Sequence, residues 1–400
     1  MHAMRLVFGR SVRTTSLGSS MSDEWLGRSN ARQMQTAKAG SRILLAGDDT
    51  RSNRVPSSKI ALVVEAPFRS PADRIMRIAV VIPYFQRESG PLERALRSIG
   101  RQLEVGNLSV IVVDDESPVS AETEVARLGP SPRFPIAVIR QPNGGPAAAR
   151  NRGLAAVPAD TDYVAFLDSD DEWEAGHLAN AMTALGAGHD FYFADLLQLG
   201  QQVSGFARAG RITVANHPPI GNSAVLHSYI GDMFDQIITG NVIGTSTVVY
   251  DFRRFAASRF DEAFFSAGED YLFWIGCARA GARFCFSSDV EARYGAGVNV
   301  YSGSGWGTDG FMRRVQNEMR YRKRLLQFDL DPGQRRFVED KIVRLRIEFA
   351  DDVLHRLSHR KVLPMHVLRM QFALDARTLF EMPIHAGQIV ARRLRGSAPP

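Results

Sequence analysis

The chain has 400 residues, 44% hydrophobic and 23% charged, with 34 Gly and 19 Pro, a globular composition outside the disordered range. No apolar run reaches the roughly 18–20 residues of a membrane-spanning helix, and two cysteines, Cys277 and Cys285, exclude a disulfide framework or a four-Cys zinc site and point to a reducing compartment. The net charge of +6 divides into 12 Lys+Arg against 6 Asp+Glu over 1–75, 18 against 27 over 76–310 and 19 against 10 over 311–400, and an acidic middle without a nucleic-acid motif excludes a nucleic-acid binder.

Residues 1–75 show little periodicity and only isolated apolar pieces, so they are expected to be a disordered, dispensable extension. They hold no apolar stretch of secretory-signal length behind a basic start. From residue 76 strands and helices alternate. Ile78–Ile82 is a β-branched run stopped by Pro83, a buried strand. Pro91–Leu103 has helical spacing and Pro at its start. Ser109–Val113 is a second strand, ending in Asp114-Asp115. Ala121–Leu128 is a short helix and Ile136–Ile139 a third strand. The turn-rich loop Gln141–Pro146 leads into a helix over Ala147–Ala156. Tyr163–Leu167 is a fourth strand, ending in Asp168-Ser169-Asp170-Asp171.

Such alternation predicts a doubly wound, mostly parallel α/β sheet with ligands at the carboxyl ends of its strands. Beyond residue 172 the regularity falls. A helix is expected over Glu174–Leu185, strands over Asp190–Leu199 and Thr245–Tyr250, a helix over Glu269–Ala280 and a strand over Arg283–Phe286. Residues 294–310 read as a Gly/Ser-rich loop or lid. The region 311–400 reads as basic and helical. Its charge suits an anionic membrane surface or simply a solvated helical face. A wheel of Val362–Phe380 puts Leu363, Val367, Met370 and Leu374 near one stripe.

Carboxylates at the end of a buried strand repel one another unless a cation neutralises them. Asp168-x-Asp170 therefore suits Mg²⁺ or Mn²⁺, hard cations that take oxygen ligands. Asp-rich loops also arise because Asp caps helices, a role open to Asp171. Asp115 is placed to accept hydrogen bonds from a base or ribose, or to close an Asx turn. The loop Asn143-Gly-Gly-Pro lacks both the Walker and the dinucleotide spacing. Arg150 and Arg152 on the following helix could reach a diphosphate, with Arg152 equally a surface residue. Glu269-Asp270 at a helix start is favoured by the helix dipole, or supplies a general base.

Five ordered pieces resemble glycosyltransferase family 2 on a GT-A fold. They are Val-Val-Ile-Pro-Tyr-Phe, Val-Val-Asp-Asp-Glu-Ser, Asn-Gly-Gly-Pro-Ala-Ala-Ala-Arg-Asn-Arg-Gly-Leu, Phe-Leu-Asp-Ser-Asp-Asp and Gly-Glu-Asp-Tyr-Leu-Phe-Trp, spread from about Ile78 to Phe286. The resemblance implies that Pro83 and Phe85 line a nucleoside pocket and Asp115 binds the base. Arg150 would approach the nucleotide, Asp168 and Asp170 would hold the nucleotide sugar through the metal, and Asp270 would be the base. Three departures stand out. Gln86 replaces a frequent Asn, the late lid lacks a metal-ligating His, and the Q-x-x-R-W pattern of processive synthases is missing. The lid stretch also resembles succinoglycan-type exopolysaccharide enzymes.

The resulting expectation is a disordered segment 1–75, a GT-A domain 76–310 (nucleotide half 76–172, acceptor half 173–310) and a basic helical region 311–400. The reaction is an inverting transfer from a nucleotide-diphospho-sugar, UDP-linked, to a saccharide acceptor, with a lipid-linked one favoured. The place is the cytoplasm, peripheral on the inner face of the cell membrane. Two rival readings are a sugar-1-phosphate nucleotidyltransferase and a non-catalytic membrane-associated assembly subunit.

Overall fold

Alternate residues of the first strand, β1 (Arg77–Tyr84), feed two separate cores. Ala79 and Val81 join one, and Ile78, Val80 and Ile82 join the other. A β-branched run can do this only in a sheet covered on both faces. The computed structural model describes residues 76–103, 106–129, 133–264, 268–296 and 305–394. The segment 1–75 and residues 297–304 of the expected lid lie outside the described residues.

Next come α1 (Pro91–Gly100), β2 (Asn107–Asp114), α2 (Ala121–Ala126), β3 (Ile136–Arg140), α3 (Gly145–Ala156) and β4 (Tyr163–Phe166). Strands β3, β2, β1 and β4 pair side by side in parallel register. Helix α3 lies so close to β1 that a Cβ on Gly153 would overlap Val81. Short β5 (Glu172–Trp173), α4 (His177–Gly186) and β6 (Phe191–Gln198) follow. After them come α5 (Gly205–Ala209), β7 (Leu226–Ser228), α6 (Met233–Gly240), β8 (Val249–Asp251) and α7 (Phe252–Phe255). Helix α8 (Glu269–Arg279) and β9 (Phe284–Tyr294) complete the sheet, whose order is β3-β2-β1-β4-β8-β6-β9-β5, with β7 also on β9. Strand β8 is antiparallel to β4 and β6, while β6 and β9 run parallel. The fold is α/β with a C-terminal helical extension.

Four helices form that extension: α9 (Asp309–Leu325), α10 (Pro332–Ser358), α11 (Met365–Leu374) and α12 (Ala376–Leu394). Asp331 and Gln334 form a capping box ahead of α10, with Pro332 where a missing N–H costs nothing. Phe311, Met312, Val315 and Met319 of α9 and Phe349 of α10 share a core with β1 and α8. A buried ion cluster ties the ends together. Arg346 holds Asp375 through two hydrogen bonds, of 2.6 and 3.1 Å, and Lys323 meets the same carboxylate at 2.8 Å. Both cysteines are free and buried.

The structure differs from three expectations. Val362–Phe380 is not one helix: the chain breaks at Asp375, whose side chain turns inward to Arg346. Val367 and Leu368 are buried while Met370 is exposed, so the wheel's stripe is partly consumed by packing. The strand expected over Thr245–Tyr250 begins as a 3₁₀ turn, Thr245–Thr247, because all three hydroxyls hydrogen-bond away from any ladder. The strand expected over Arg283–Phe286 runs on to Tyr294. Register shifts around Asp195 carry the pairing past the polar Ser287–Asp289.

Candidate active site

The carboxyl ends of β1, β2 and β4 open into a cavity of 1390 Å³. Pro83 and Phe85 line it from the β1 end, Asp115 from β2, Arg150 from α3, Asp168 and Asp170 from β4, and Asp270 from α8. All seven residues expected at the site therefore meet in one place. Single-ligand sites usually measure about 300–1,000 Å³, so there is room for more than one substrate.

Asp114 and Asp115 hold up the loops around the opening. Asp114 is 1% exposed and accepts from the Ala121 and Ser117 amides, so the Asx-type turn belongs to this residue. Asp115 accepts from Gln141 Nε2 at 2.7 Å and from the Gly144 and Gly145 amides at 2.8 Å each. Three of the roughly four lone-pair directions of its carboxylate are thus committed to the Gly-rich loop. One direction remains for a base.

The aspartate loop sorts its acids by environment. Asp168 is 31% exposed at the side chain and pairs with Arg150 Nη2 at 2.7 Å. Burial, and next the charge of Asp168, push Asp170 up to about 6. Asp171 caps no helix. It accepts from Ser246 Oγ at 2.6 Å and from the Gly295 amide at 3.0 Å, and burial raises it well above the carboxylate range. A Cβ on Gly295 would collide with the Asp170 carbonyl, so only glycine lets the end of β9 pass this loop.

Arg150 is 4% exposed and joins the two acidic groups. Its Nη1 donates to Glu269 Oε1 at 3.1 Å, opposite the Nη2 bond to Asp168. This residue was expected at the nucleotide. Two of its five donors hold protein carboxylates while it still lines the cavity, and Arg152 is exposed. Burial and the neighbouring Asp270 charge push Glu269 up to about 7, against the pull of Arg150. Asp270 has a different setting. It accepts from Thr245 Oγ1 at 3.1 Å and from the Tyr271 amide at 2.8 Å, and burial raises it above its ordinary value. Of the two acids, only Asp270 lacks a guanidinium partner.

The 3₁₀ turn Thr245–Thr247 reaches both acidic groups. Ser246 is fully buried. Its Oγ accepts the Asp168 amide at 3.0 Å and donates to Asp171, while its carbonyl accepts Trp173 Nε1 at 2.5 Å. Its neighbour Thr245 aims Asp270. Neither residue stood out in the sequence, because a Thr-Ser-Thr turn has no periodicity. Glu318 and Tyr321 of α9 also line the cavity. They lie in a stretch read only as basic and helical.

The donor set at Asp168 and Asp170 is all oxygen, and burial and the charge of Asp168 raise Asp170, which fits a divalent hard cation. Among the described residues no group of three or more His, Cys, Asp or Glu could hold a metal. Two carboxylates plus substrate phosphates would have to suffice, as is common for Mg²⁺.

The profile of the family described as "Glycosyl transferase family 2" matches residues 79–247. The succinoglycan biosynthesis protein ExoW of Rhizobium meliloti is 36% identical over 265 residues, covering 62% of this chain and 80% of its own. The chain belongs to glycosyl transferase family 2. A further relative is the GalNAc(5)-diNAcBac-PP-undecaprenol beta-1,3-glucosyltransferase of Campylobacter jejuni. It is 31% identical over 122 residues, 30% of this chain and 38% of that one. The crystal structure of S. aureus TarS 1–349 in complex with UDP-GlcNAc matches with a TM-score of 0.50 at 18% identity, over 81% of this chain and 93% of that one. It shares the fold. As a family 2 glycosyltransferase, the chain is an enzyme whose β1, β2 and β4 ends lie inside the matched segment, with Asp270 just beyond it.

Proposed function

We propose that this enzyme transfers a sugar, with inversion, from a UDP-linked nucleotide sugar to a saccharide acceptor in bacterial exopolysaccharide assembly. The observation that carries the reading is the meeting of Asp168 and Asp170 with Asp270 in one cavity, brought there by β4 and α8. The printed names of ExoW and of the undecaprenol-linked relative support an exopolysaccharide setting and a lipid-linked acceptor.

In this reading Asp270 takes the proton of the acceptor hydroxyl as that oxygen attacks the anomeric carbon opposite the diphosphate. One C–O bond forms, the anomeric carbon–phosphate oxygen bond breaks, and the nucleoside diphosphate leaves with the electron pair. Thr245 keeps Asp270 aimed at the acceptor side. Arg150 keeps Glu269 and Asp168 apart from Asp270's task. Mg²⁺ or Mn²⁺ held by Asp168 and Asp170 would neutralise the departing diphosphate. Pro83 and Phe85 would flank the base, with Asp115 offering its remaining lone pair.

Incubation with a panel of radiolabelled nucleotide sugars and Mn²⁺ tests the reading. Transfer or slow hydrolysis of a UDP-sugar is expected. Pyrophosphate release would instead indicate a nucleotidyltransferase, and silence across the panel a non-catalytic assembly subunit.

A further inference from the structure

The C-terminal helices carry a surface that the proposed reaction does not use. Among the described residues fourteen large hydrophobic side chains stand exposed, and eight of them lie between Leu357 and Val390. On α12 the exposed Phe380, Pro383, Ile384, Gly387 and Ala391 recur at helical spacing and make one stripe. Leu379 and Val390 widen it, at 50% and 46% exposure. Phe380 is 75% exposed and Ile384 60%.

Exposed charge along this stretch of chain is mostly positive. From 357 to 391 the exposed ionic residues are Arg360, Lys361, Arg369 and Arg377, with no exposed Asp or Glu. Of the two carboxylates of the stretch, Asp375 is buried and Glu381 keeps 32% of its side chain exposed. Asp375 is held by Arg346 and Lys323, and Glu381 meets Arg346 at 3.0 Å. Arg377 lies three residues before Phe380 and seven before Ile384, on the same side of α12.

We propose that this face of α12 lies on an anionic lipid bilayer, with Phe380 and Ile384 among the upper acyl chains and Arg377 at the head groups. An amphipathic helix with cations beside its apolar stripe is the pattern of interfacial binding. Spanning is not the mode, because no described helix is long and apolar enough to cross a membrane. The stripe differs from the Leu363–Leu374 one expected from sequence, and it does not rest on the donor or acceptor assignment.

The test is sedimentation of the full chain with phosphatidylcholine vesicles, with and without phosphatidylglycerol, at low and high salt. Binding is expected only to the anionic vesicles and should weaken as salt rises. Arg377→Gln should weaken it about five-fold. Phe380→Ser with Ile384→Ser should weaken it roughly ten-fold or more. Both side chains are exposed, so the melting temperature should not move. Unchanged vesicle binding by that double variant overturns the proposal, as does no sedimentation of the parent protein. A concentration-dependent dimer lost in the double variant also overturns it, and would assign the face to a second copy.

Discussion

Asp270→Asn and Glu269→Gln should differ in effect. Both acids open α8, Glu269 buried and Asp270 half-buried, and only Glu269 is bonded to Arg150, at 3.1 Å. Asp270 has a hydroxyl and an amide as partners, at 3.1 and 2.8 Å. Losing a general base costs about 10²–10⁴-fold, or roughly 3–5 kcal/mol of transition-state stabilisation. Asp270→Asn should therefore lower kcat by that factor. Its folding should change little. The amide keeps one acceptor for Thr245 or Tyr271, losing at most about 1 kcal/mol, and one like charge disappears. Glu269→Gln removes half of a buried ion pair. Leaving a buried charge wholly unpaired costs about 3–5 kcal/mol. Glu269 is already pushed up to about 7, so much of its charge is absent near neutral pH; with Arg150 keeping Asp168 at 2.7 Å and the new amide oxygen still accepting, at most about 1 kcal/mol is expected. At about 1–1.5 °C per kcal/mol for a chain of this size, the melting temperature should move by no more than a degree or two. The assay pairs kcat and UDP calorimetry with thermal melts for both variants. An inactive but fully stable Glu269→Gln, beside an Asp270→Asn within a few-fold of wild type, would refute the reasoning. Equal loss of UDP affinity and turnover in Asp270→Asn would move that residue to the donor site.

Other outcomes follow from the same geometry. EDTA should abolish turnover and Mn²⁺ or Mg²⁺ restore it, with Asp170→Ala folded but inactive; full activity of that variant in EDTA removes the metal assignment. Ser246→Ala deletes a hydroxyl that serves both the Asp168 amide and Asp171. It should lower melting temperature and donor affinity together, by about 1–3 kcal/mol for the unsatisfied buried partners, and unchanged donor affinity by calorimetry would show the loop stands without it. Hydrogen bonds from Arg283 and Arg254 outweigh burial and hold Asp190 down to about 2, below its ordinary 3.8. A depressed carboxylate stabilises the fold above its unfolded value, and that gain is lost as pH falls from about 4 through 2, roughly 2 kcal/mol in all. Asp190→Asn should flatten the acid arm of a melting-temperature profile over that window, and an unchanged slope would count against the pair.

Local sequence determined a good deal of this protein. Ile78–Ile82, Ser109–Val113 and Tyr163–Leu167 are strands because β-branched and aromatic runs buried on both faces admit little else. The acids Asp115, Asp168 and Asp170 follow them directly, so their arrival at one sheet edge was legible once the strands were read as parallel. Asp270 was visible as a helix-opening acid. Tertiary structure decided how those residues are used. Asp115 spends most of its carboxylate on the Gly-rich loop, and Arg150 bridges Asp168 and Glu269, which lie 101 positions apart. Thr245 and Ser246 matter only because β8 runs antiparallel beside β4, which sets their turn against the aspartate loop. The stripe on Val362–Phe380 became mostly an intramolecular packing face, with Leu363, Val367 and Leu374 against the core and Met370 left exposed. Periodicity reports which side chains can share a face, but the ion pair at Asp375 broke the helix and chose the face left in water.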